Sequence, residues 1–145
     1  IGFLNSPPPE ISKDGFRSVG DIGYIDNDGY LYFVDRRSDM IVTGGENVFA
    51  NEVETVLKKS KKVLDVVVVG IPDKEWGHRI HAIVETKEPV SDKSLIRLAL
   101  DYLPPYKIPK SFEFVDEIPR NANGKVVRST LVEQYIKNNS DSNGD

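Results

Sequence analysis

The chain has 145 residues, of which 39% are hydrophobic and 29% charged, a composition typical of a soluble globular domain rather than a disordered or membrane-spanning one. No apolar run approaches the roughly 18 residues that a membrane helix needs. The net charge of −4 argues against nucleic acid as a partner. Because the chain has no cysteine, it has neither disulfides nor a thiolate zinc site, which is compatible with the cytoplasm.

The first structural signal in the chain is a β-hairpin. Residues 20–25 and 30–34 are rich in β-branched and aromatic residues, and the polar loop 26–29, which ends in glycine, joins them. The residues before the hairpin, with prolines at 7–9, predict an extended connection. The charged stretch 35–39 that follows is too polar for a core, and we interpret it as a hinge between two structural units.

From residue 40 the pattern changes to short strands that alternate with helices. Asn51 and Ser91 are typical N-cap residues, and the run of four valines at 66–69 predicts a strand covered on both faces. The predicted elements in order are strand 40–43, a helix from Asn51 to about 60, strand 63–71, strand 78–85, a helix from Ser91 to about 103 and strand 111–115. This β-α-β-β-α-β order predicts a small α+β domain, to which a last helix at about 129–136 is added.

Single polar residues carry only weak functional signals. His78 and His81 stand three apart on a predicted strand, so they point to opposite faces and cannot hold one metal ion together. Trp76, after a Pro-Asp turn, is interpreted as a packing anchor. The carboxylate of Asp21 is able to accept two hydrogen bonds from the vicinal hydroxyls of a ribose, although a turn aspartate is the commoner case. Lys125, in a polar loop, offers a compact cation for a phosphoryl or carboxylate oxygen.

Three motifs in order and spacing resemble the adenylate-forming superfamily of acyl-CoA synthetases, luciferases and nonribosomal-peptide adenylation domains. Residues 16–21, Phe-Arg-Ser-Val-Gly-Asp, resemble the family's Tyr/Phe-Arg-Thr-Gly-Asp motif with one extra residue. Residues 34–54 are similar to its hinge and glycine-strand motif, and their Gly-Gly-Glu-Asn most resembles ligases of fatty, aryl or bile acids. Residues 119–125 are similar to its Pro-Arg-Thr-x-x-Gly-Lys element, with Asn121 where threonine is usual.

The resemblance implies a two-step reaction. A small carboxylic acid and ATP, which is expected to carry Mg²⁺ held by ligands outside this chain, form an acyl-adenylate and pyrophosphate. The thiol of coenzyme A (CoA) then displaces AMP. The resemblance implies that Lys125 is the catalytic cation and that Gly44 and Gly45 face the pantetheine arm of CoA. It also implies that Asp21 binds the ribose hydroxyls and that Arg36 contacts the ribose or the phosphate beside it. Without the resemblance, Arg36 and Arg37 between two acidic residues are more commonly a solvated ion-pair cluster.

The resemblance also implies a division into domains. Residues 1–35 would be the end of a large AMP-binding domain, residues 36–39 the hinge, residues 40–137 a C-terminal lid and residues 138–145 a disordered tail. The hinge residue would be Ser38, where the family usually has aspartate or lysine. The large domain is then the expected partner, and the isolated chain is expected to be inactive. The chain begins with Ile1 and has only an internal methionine, which agrees with an origin in a longer protein.

Two alternatives remain open from the sequence. The adenylate could pass to the phosphopantetheine of a carrier protein instead of free CoA. In the second alternative, the β-α-β-β-α-β region is a stand-alone ferredoxin-like module that binds a small ligand or a partner protein, because such folds host many activities. The acid that is activated is not predicted, since the acyl pocket of the family lies in the large domain.

Overall fold

The computed structural model describes residues 13, 15 and 20–141. The predictions for Phe16–Val19, for the proline run and for residues 142–145 therefore lie outside the described residues. The chain divides into two units, Ile1–Ser38 and Asp39–Asp145. The strands are β1 (Asp21–Ile25), β2 (Leu31–Arg36), β3 (Met40–Thr43), β4 (Glu46–Phe49), β5 (Val63–Asp73), β6 (Gly77–Thr86) and β7 (Ser111–Val115), and the helices are α1 (Ala50–Leu57), α2 (Asp92–Leu100) and α3 (Arg128–Asp141).

The first unit contains the predicted hairpin. β1 and β2 pair antiparallel, with Ile25 opposite Leu31. Asp26 closes the loop because its Oδ1 accepts hydrogen bonds from the backbone N–H of Asp28 at 3.0 Å and of Tyr30 at 2.9 Å. β2 continues through Arg36, so the first two residues of the charged stretch interpreted as a hinge belong to a strand.

The second unit is built on a three-stranded sheet in the order β5-β6-β7. β5 and β6 are antiparallel, whereas β6 and β7 are parallel because α2 connects them in a crossover. α1 and α2 cover one face of the sheet, where Val66 and Val68 of β5 lie, and α3 covers the other face, where Val67 and Val69 lie. The sheet is therefore covered on both faces, as the run of valines predicts.

The predicted α+β class and the β-α-β-β-α-β order are confirmed, with one strand that the sequence did not reveal. β4 pairs antiparallel with β3 in a separate hairpin and not in the main sheet. The sequence predicts no element for Glu46–Phe49, because these residues have no periodicity of their own and form a strand only through pairing with β3. Val53, Val56 and Leu57 form the expected buried stripe of that helix.

Two predictions about helix ends are corrected. α1 begins at Ala50 with Phe49 in the N-cap position, so Asn51 lies inside the first turn and is not the cap. α3 continues through Asp141, so residues 138–141 of the predicted disordered tail are helical. The predicted cap of α2 is confirmed, since Ser91 accepts a hydrogen bond from the Ser94 N–H. In the described part of the chain, no helix has both the length and the hydrophobicity to cross a membrane.

Candidate functional site

Asp21 and Arg36 are neighbours on the β1–β2 hairpin. They stand opposite each other in the antiparallel register, and Arg36 Nε lies 3.7 Å from Asp21 Oδ1. The side chains are 46% and 69% exposed, so the pair is loose and both groups face solvent. An exposed carboxylate beside an exposed guanidinium offers acceptors for hydroxyl groups and donors for an anionic oxygen in one place.

Gly44 and Gly45 form the two-residue turn that joins β3 to β4. Their φ angles are +57° and +83°, the left-handed region that a tight hairpin turn requires at both central positions and that glycine adopts without strain. A Cβ on Gly44 would lie 2.7 Å from the ring of Trp76, whereas a Cβ on Gly45 would meet nothing within 4 Å. Gly44 is thus required by packing, and Gly45 leaves open space outside the turn.

Trp76 is the structural neighbour of this turn. Its carbonyl oxygen accepts a hydrogen bond from the Gly44 N–H at 2.9 Å, and its ring packs against Gly44. Lys110 Nζ lies 3.3 Å from the centroid of the indole ring, a close cation–π contact. The tryptophan interpreted as a packing anchor therefore packs against Gly44, but the residue is 39% exposed and a lysine ammonium group lies over its ring beside the glycine turn.

Lys125 ends a tight polar loop. Asn121 organises this loop, because its Oδ1 accepts the N–H of Asn123 at 3.0 Å and that of Lys125 at 2.9 Å. The backbone closes the same turn through hydrogen bonds from the Asn121 N–H to the Lys125 carbonyl and from the Gly124 N–H to the Asn121 carbonyl, both 2.8 Å long. Lys125 is exposed, and among the described residues no carboxylate pairs with its ammonium group.

Arg120 holds the loop against β5. Its guanidinium donates to the carbonyl of Gly124 at 3.3 Å and also binds the carboxylate of Asp65, which pairs in addition with Lys58 at 2.8 Å. Burial of Asp65 works to raise its pKa, but the hydrogen bonds from Lys58 and from the Val66 N–H, together with the positive charges of Lys58 and Arg120, outweigh burial and lower the pKa. Asp65 is therefore a stable anion that, through Arg120, holds the loop before Lys125 against β5.

Ser38 lies in a short 3-10 turn, Arg37–Asp39, between β2 and β3. The division between the two units falls directly after it. A hydrogen bond from the Arg37 N–H to the Gly20 carbonyl, 2.7 Å long, holds the start of this turn to the hairpin.

The two histidines differ in their exposure to solvent. His78 is exposed, whereas His81 is 1% exposed and shares a hydrogen bond of 2.8 Å between Nδ1 and Ser111 Oγ. In the part of the chain that the structure describes, no three His, Asp or Glu side chains form a cluster able to hold a metal.

The comparisons with known proteins identify the family. Residues 52–125 match the AMP-binding enzyme C-terminal domain. The chain is 47% identical over 119 residues to a 2-succinylbenzoate–CoA ligase of Bacillus licheniformis, covering 82% of this chain and 25% of that protein. It is 42% identical over 132 residues to the long-chain-fatty-acid–CoA ligase FadD13 of Mycobacterium tuberculosis, covering 88% and 26%. The chain belongs to the AMP-binding C-terminal domain family of adenylate-forming enzymes and spans about a quarter of the length of these relatives.

Solved structures show the same fold. The o-succinylbenzoate CoA synthetase of Bacillus subtilis, in complex with an acyl-adenylate intermediate, superposes with a TM-score of 0.77 at 43% identity, over 83% of this chain and 25% of that one. ATP-bound MatB of Rhodopseudomonas palustris superposes with a TM-score of 0.80 at 33% identity, over 87% and 25%. Both are much longer chains than this one.

The structure brings together only some of the predicted residues. Asp21 and Arg36 meet on one hairpin, Gly44 and Gly45 form one turn, and Lys125 occupies its own loop. Trp76 was missed as a neighbour of the glycine turn, since it is distant from that turn in sequence. Asn121 was noted only as a departure from threonine, although an asparagine at the start of a Gly-containing turn is a signal for the side-chain hydrogen bonds that it makes.

Proposed function

We propose that this chain is the C-terminal, mobile part of an ATP-dependent, AMP-forming acyl-CoA ligase. In the first step a carboxylate attacks the α-phosphate of ATP, which gives the acyl-adenylate and releases pyrophosphate. In the second step the CoA thiol attacks the acyl carbon, which gives the thioester and releases AMP. The observation that carries the proposal is Lys125, an exposed cation on an ordered loop at the end of the family match.

Lys125 has the properties that the first step demands. Negative charge gathers between the attacking carboxylate and the α-phosphate, so a cation held at that point stabilises the transition state more than the ground state. The hydrogen bonds of Asn121 and Arg120 fix the backbone of the loop, while the four-carbon stem of the lysine remains free to reach. Because the loop backbone is already ordered, only the side-chain torsions of Lys125 have to be fixed when its ammonium group binds.

Asp21 and Arg36 suit the ribose of the nucleotide. The two oxygens of a carboxylate can accept hydrogen bonds from the vicinal 2′ and 3′ hydroxyls, and a guanidinium beside it can donate to a ribose or phosphate oxygen. Their ion pair is long and solvated, so it costs little to rearrange around a ligand. Mg²⁺ would accompany ATP, and we assign its ligands to the remainder of the enzyme because the described residues offer no cluster of donors.

The Gly44-Gly45 turn suits the second step. A thiol on a long pantetheine arm must approach the acyl carbon closely, and a turn without side chains does not obstruct it. Beside this turn the exposed Trp76 ring and Lys110 offer a flat apolar surface and a cation, which match a nucleotide base and its phosphates. The CoA end of the site would therefore include these two residues.

Ser38 is the proposed hinge between the steps. The boundary between the two units follows it directly, so residues 1–38 would stay with the large domain while the unit from Asp39 onward rotates. One rotation would withdraw Lys125 after adenylation and present the glycine turn to CoA. A serine needs no particular side-chain partner for this, since the change is absorbed by backbone dihedrals.

The carrier-protein alternative differs only in what bears the thiol. The relatives are named as CoA ligases, which favours free CoA, and assay of the intact enzyme with both thiols would separate the two. Family membership disfavours the stand-alone ferredoxin-like module. We place the enzyme in the cytoplasm, where ATP and CoA are available and a chain without cysteine needs no oxidising compartment.

The test is to replace Lys125 with alanine in the intact enzyme and to measure the two half-reactions separately. We expect the rate of adenylation, measured as pyrophosphate release, to fall by roughly 100-fold or more, because one electrostatic contact to the transition state is lost. Thioester formation from supplied acyl-adenylate should remain close to wild type. Lys93→Ala, which removes an exposed lysine of α2, is the control and should change neither step. Equal loss in both half-reactions for Lys125→Ala would make this lysine structural.

A further inference from the structure

Arg128, the first residue of α3, is the centre of a hydrogen-bonded network that the proposed chemistry does not use. Its Nη2 lies 2.6 Å from Glu54 Oε1, its Nη1 lies 3.0 Å from Asp39 Oδ2, and its Nε donates to the Val68 carbonyl at 3.3 Å. Glu54 is 8% exposed and also accepts the Val68 N–H at 2.9 Å. The guanidinium thus joins the start of the second unit, helix α1 and the edge strand β5.

The place of this network in the chain is informative. Asp39 is the first residue after Ser38, and Arg128 follows Lys125 by one short stretch of chain that enters α3. Val126, within that stretch, packs in the apolar cluster under α3, so the stretch is anchored at both ends. The position of the Lys125 loop relative to Asp39 therefore depends on Arg128, whose three hydrogen bonds all go to residues outside α3.

We propose that Arg128 is a positioning residue for adenylation. Its guanidinium bridges Asp39, the residue after the hinge, and Glu54 of α1, and Arg128 itself follows the Lys125 loop in the chain. A rotation at the hinge therefore moves the Lys125 loop together with the rest of the unit. The inference rests on the proposed role of Lys125. Only arginine suits this place, because its planar fork can serve two carboxylates and a carbonyl at once, whereas lysine is a point charge.

A merely structural role predicts a different pattern of loss. Glu54 is buried, so removal of Arg128 leaves its charge poorly compensated and destabilises the unit whatever the chemistry. Such general destabilisation would lower both half-reactions together. A positioning role lowers adenylation selectively, since only that step needs Lys125 in place, and it lowers kcat rather than raising KM.

The experiment compares Arg128→Gln and Arg128→Lys with Lys107→Gln in the intact enzyme. Lys107 is the matched control, because it makes an ion pair of 2.7 Å to Glu52 on the same helix α1 and is 17% exposed, but it lies outside the Arg128 network. We expect Arg128→Gln to lower the kcat of adenylation by about 100-fold with nearly unchanged KM for ATP and acid, as a displacement of about 1 Å at the reacting groups would. Thioester formation from supplied acyl-adenylate should be spared, and Arg128→Lys should recover part of the loss.

A second measurement reports position without activity. Amide hydrogen exchange of residues 121–127 should accelerate in Arg128→Gln and not in Lys107→Gln. If Arg128→Gln does not fold, the same two half-reactions are measured for Arg128→Lys, which keeps the positive charge but lacks the planar guanidinium that binds two carboxylates. Parallel loss in both half-reactions, or adenylation equal to that of Lys107→Gln, would overturn the inference. Full adenylation by Lys125→Ala would instead refute the proposed function itself.

Discussion

Asn121 shows how a single side chain can replace the residue that is usual in the family motif. Its amide oxygen accepts both the Asn123 and the Lys125 N–H, so one acceptor with two lone pairs orders the whole turn. A threonine hydroxyl at the same position could bind the same backbone N–H groups. The departure from the usual motif therefore leaves the physical task of the position unchanged, and Lys125 keeps an ordered base.

His81 is a buried titratable residue with a clear physical consequence. Burial lowers its pKa, the nearby Glu113 carboxylate works in the opposite direction, and the charge of Arg79 lowers it further. His81 Nε2 lies 3.6 Å from Glu113 Oε2, and the ring packs on Tyr135 of α3 with centroids 4.5 Å apart. The folded chain thus holds this histidine neutral, and protonation opposes folding.

We predict that the free energy of unfolding falls as the pH drops through the range below the ordinary pKa of histidine, about 6.5. The sign follows from the lowered folded pKa: below 6.5 the unfolded chain binds a proton that the folded chain refuses. Urea unfolding at pH 7.5 and pH 5 measures the effect. His81→Asn, which can keep the bond from the Nδ1 position to Ser111, should lose the pH dependence in this window. A wild-type chain equally stable at both values would contradict the lowered pKa.

At the scale of elements, the β1–β2 hairpin exposes more apolar surface than a solvated hairpin would. Leu31 is 75% exposed and Phe33 is 62% exposed, while Tyr24 and Tyr32 stack on each other with centroids 5.1 Å apart. Leu31 and Phe33 stand two residues apart on β2 and so share one face of the hairpin, whereas the stacked tyrosines lie on the other face. Large apolar side chains exposed on this scale mark an interface. If residues 1–38 belong to the large domain, that domain covers this surface in the intact enzyme.

The prediction for the hairpin compares the intact enzyme with the 145-residue chain. Leu31→Ser and Phe33→Ser should each destabilise the intact enzyme by about 1.5–3 kcal/mol, the value of burying such a side chain, and leave the unfolding of the 145-residue chain nearly unchanged. Leu100→Ser, at a half-exposed position of α2, is the control. Thermal unfolding measures the change. An equal, small effect of all three substitutions in the intact enzyme would show that the hairpin surface faces solvent there as well.

The elements that the sequence predicts well are those with a local cause. The hairpin loop at Asp26, the cap at Ser91 and the valine run of β5 each follow from residues a few positions apart, and all are confirmed. β4 and the start of α1 were missed because their residues carry no periodicity of their own and depend on the pairing with β3.

The same distinction holds for the site. Motif resemblance indicated Asp21, Arg36, the glycine pair and Lys125, and their roles remain predictions. The contacts that hold these residues could not be read from the sequence, because Trp76 meets Gly44, and Arg128 meets Glu54, only through the tertiary fold.

At the scale of the whole molecule, the central claim is that one rotating unit serves two half-reactions with different residues. Lys125 and the Gly44-Gly45 turn lie in different loops of the same unit, each fixed by its own hydrogen bonds. Loss of one should therefore spare the step that the other serves.

The most direct test measures both half-reactions in the intact enzyme for Gly45→Asn beside Lys125→Ala. Asparagine tolerates a positive φ, and a Cβ at Gly45 meets nothing within 4 Å, so the substitution should keep the turn and place a side chain outside it. Gly29→Asn, at φ +88° in the β1–β2 loop and equally open, is the matched control. We expect Gly45→Asn to lower thioester formation by roughly 10-fold to 100-fold and to spare adenylation, the reverse of Lys125→Ala. If the two variants lose the same half-reaction, or if Gly45→Asn behaves as Gly29→Asn does, the claim that one unit serves both steps is wrong.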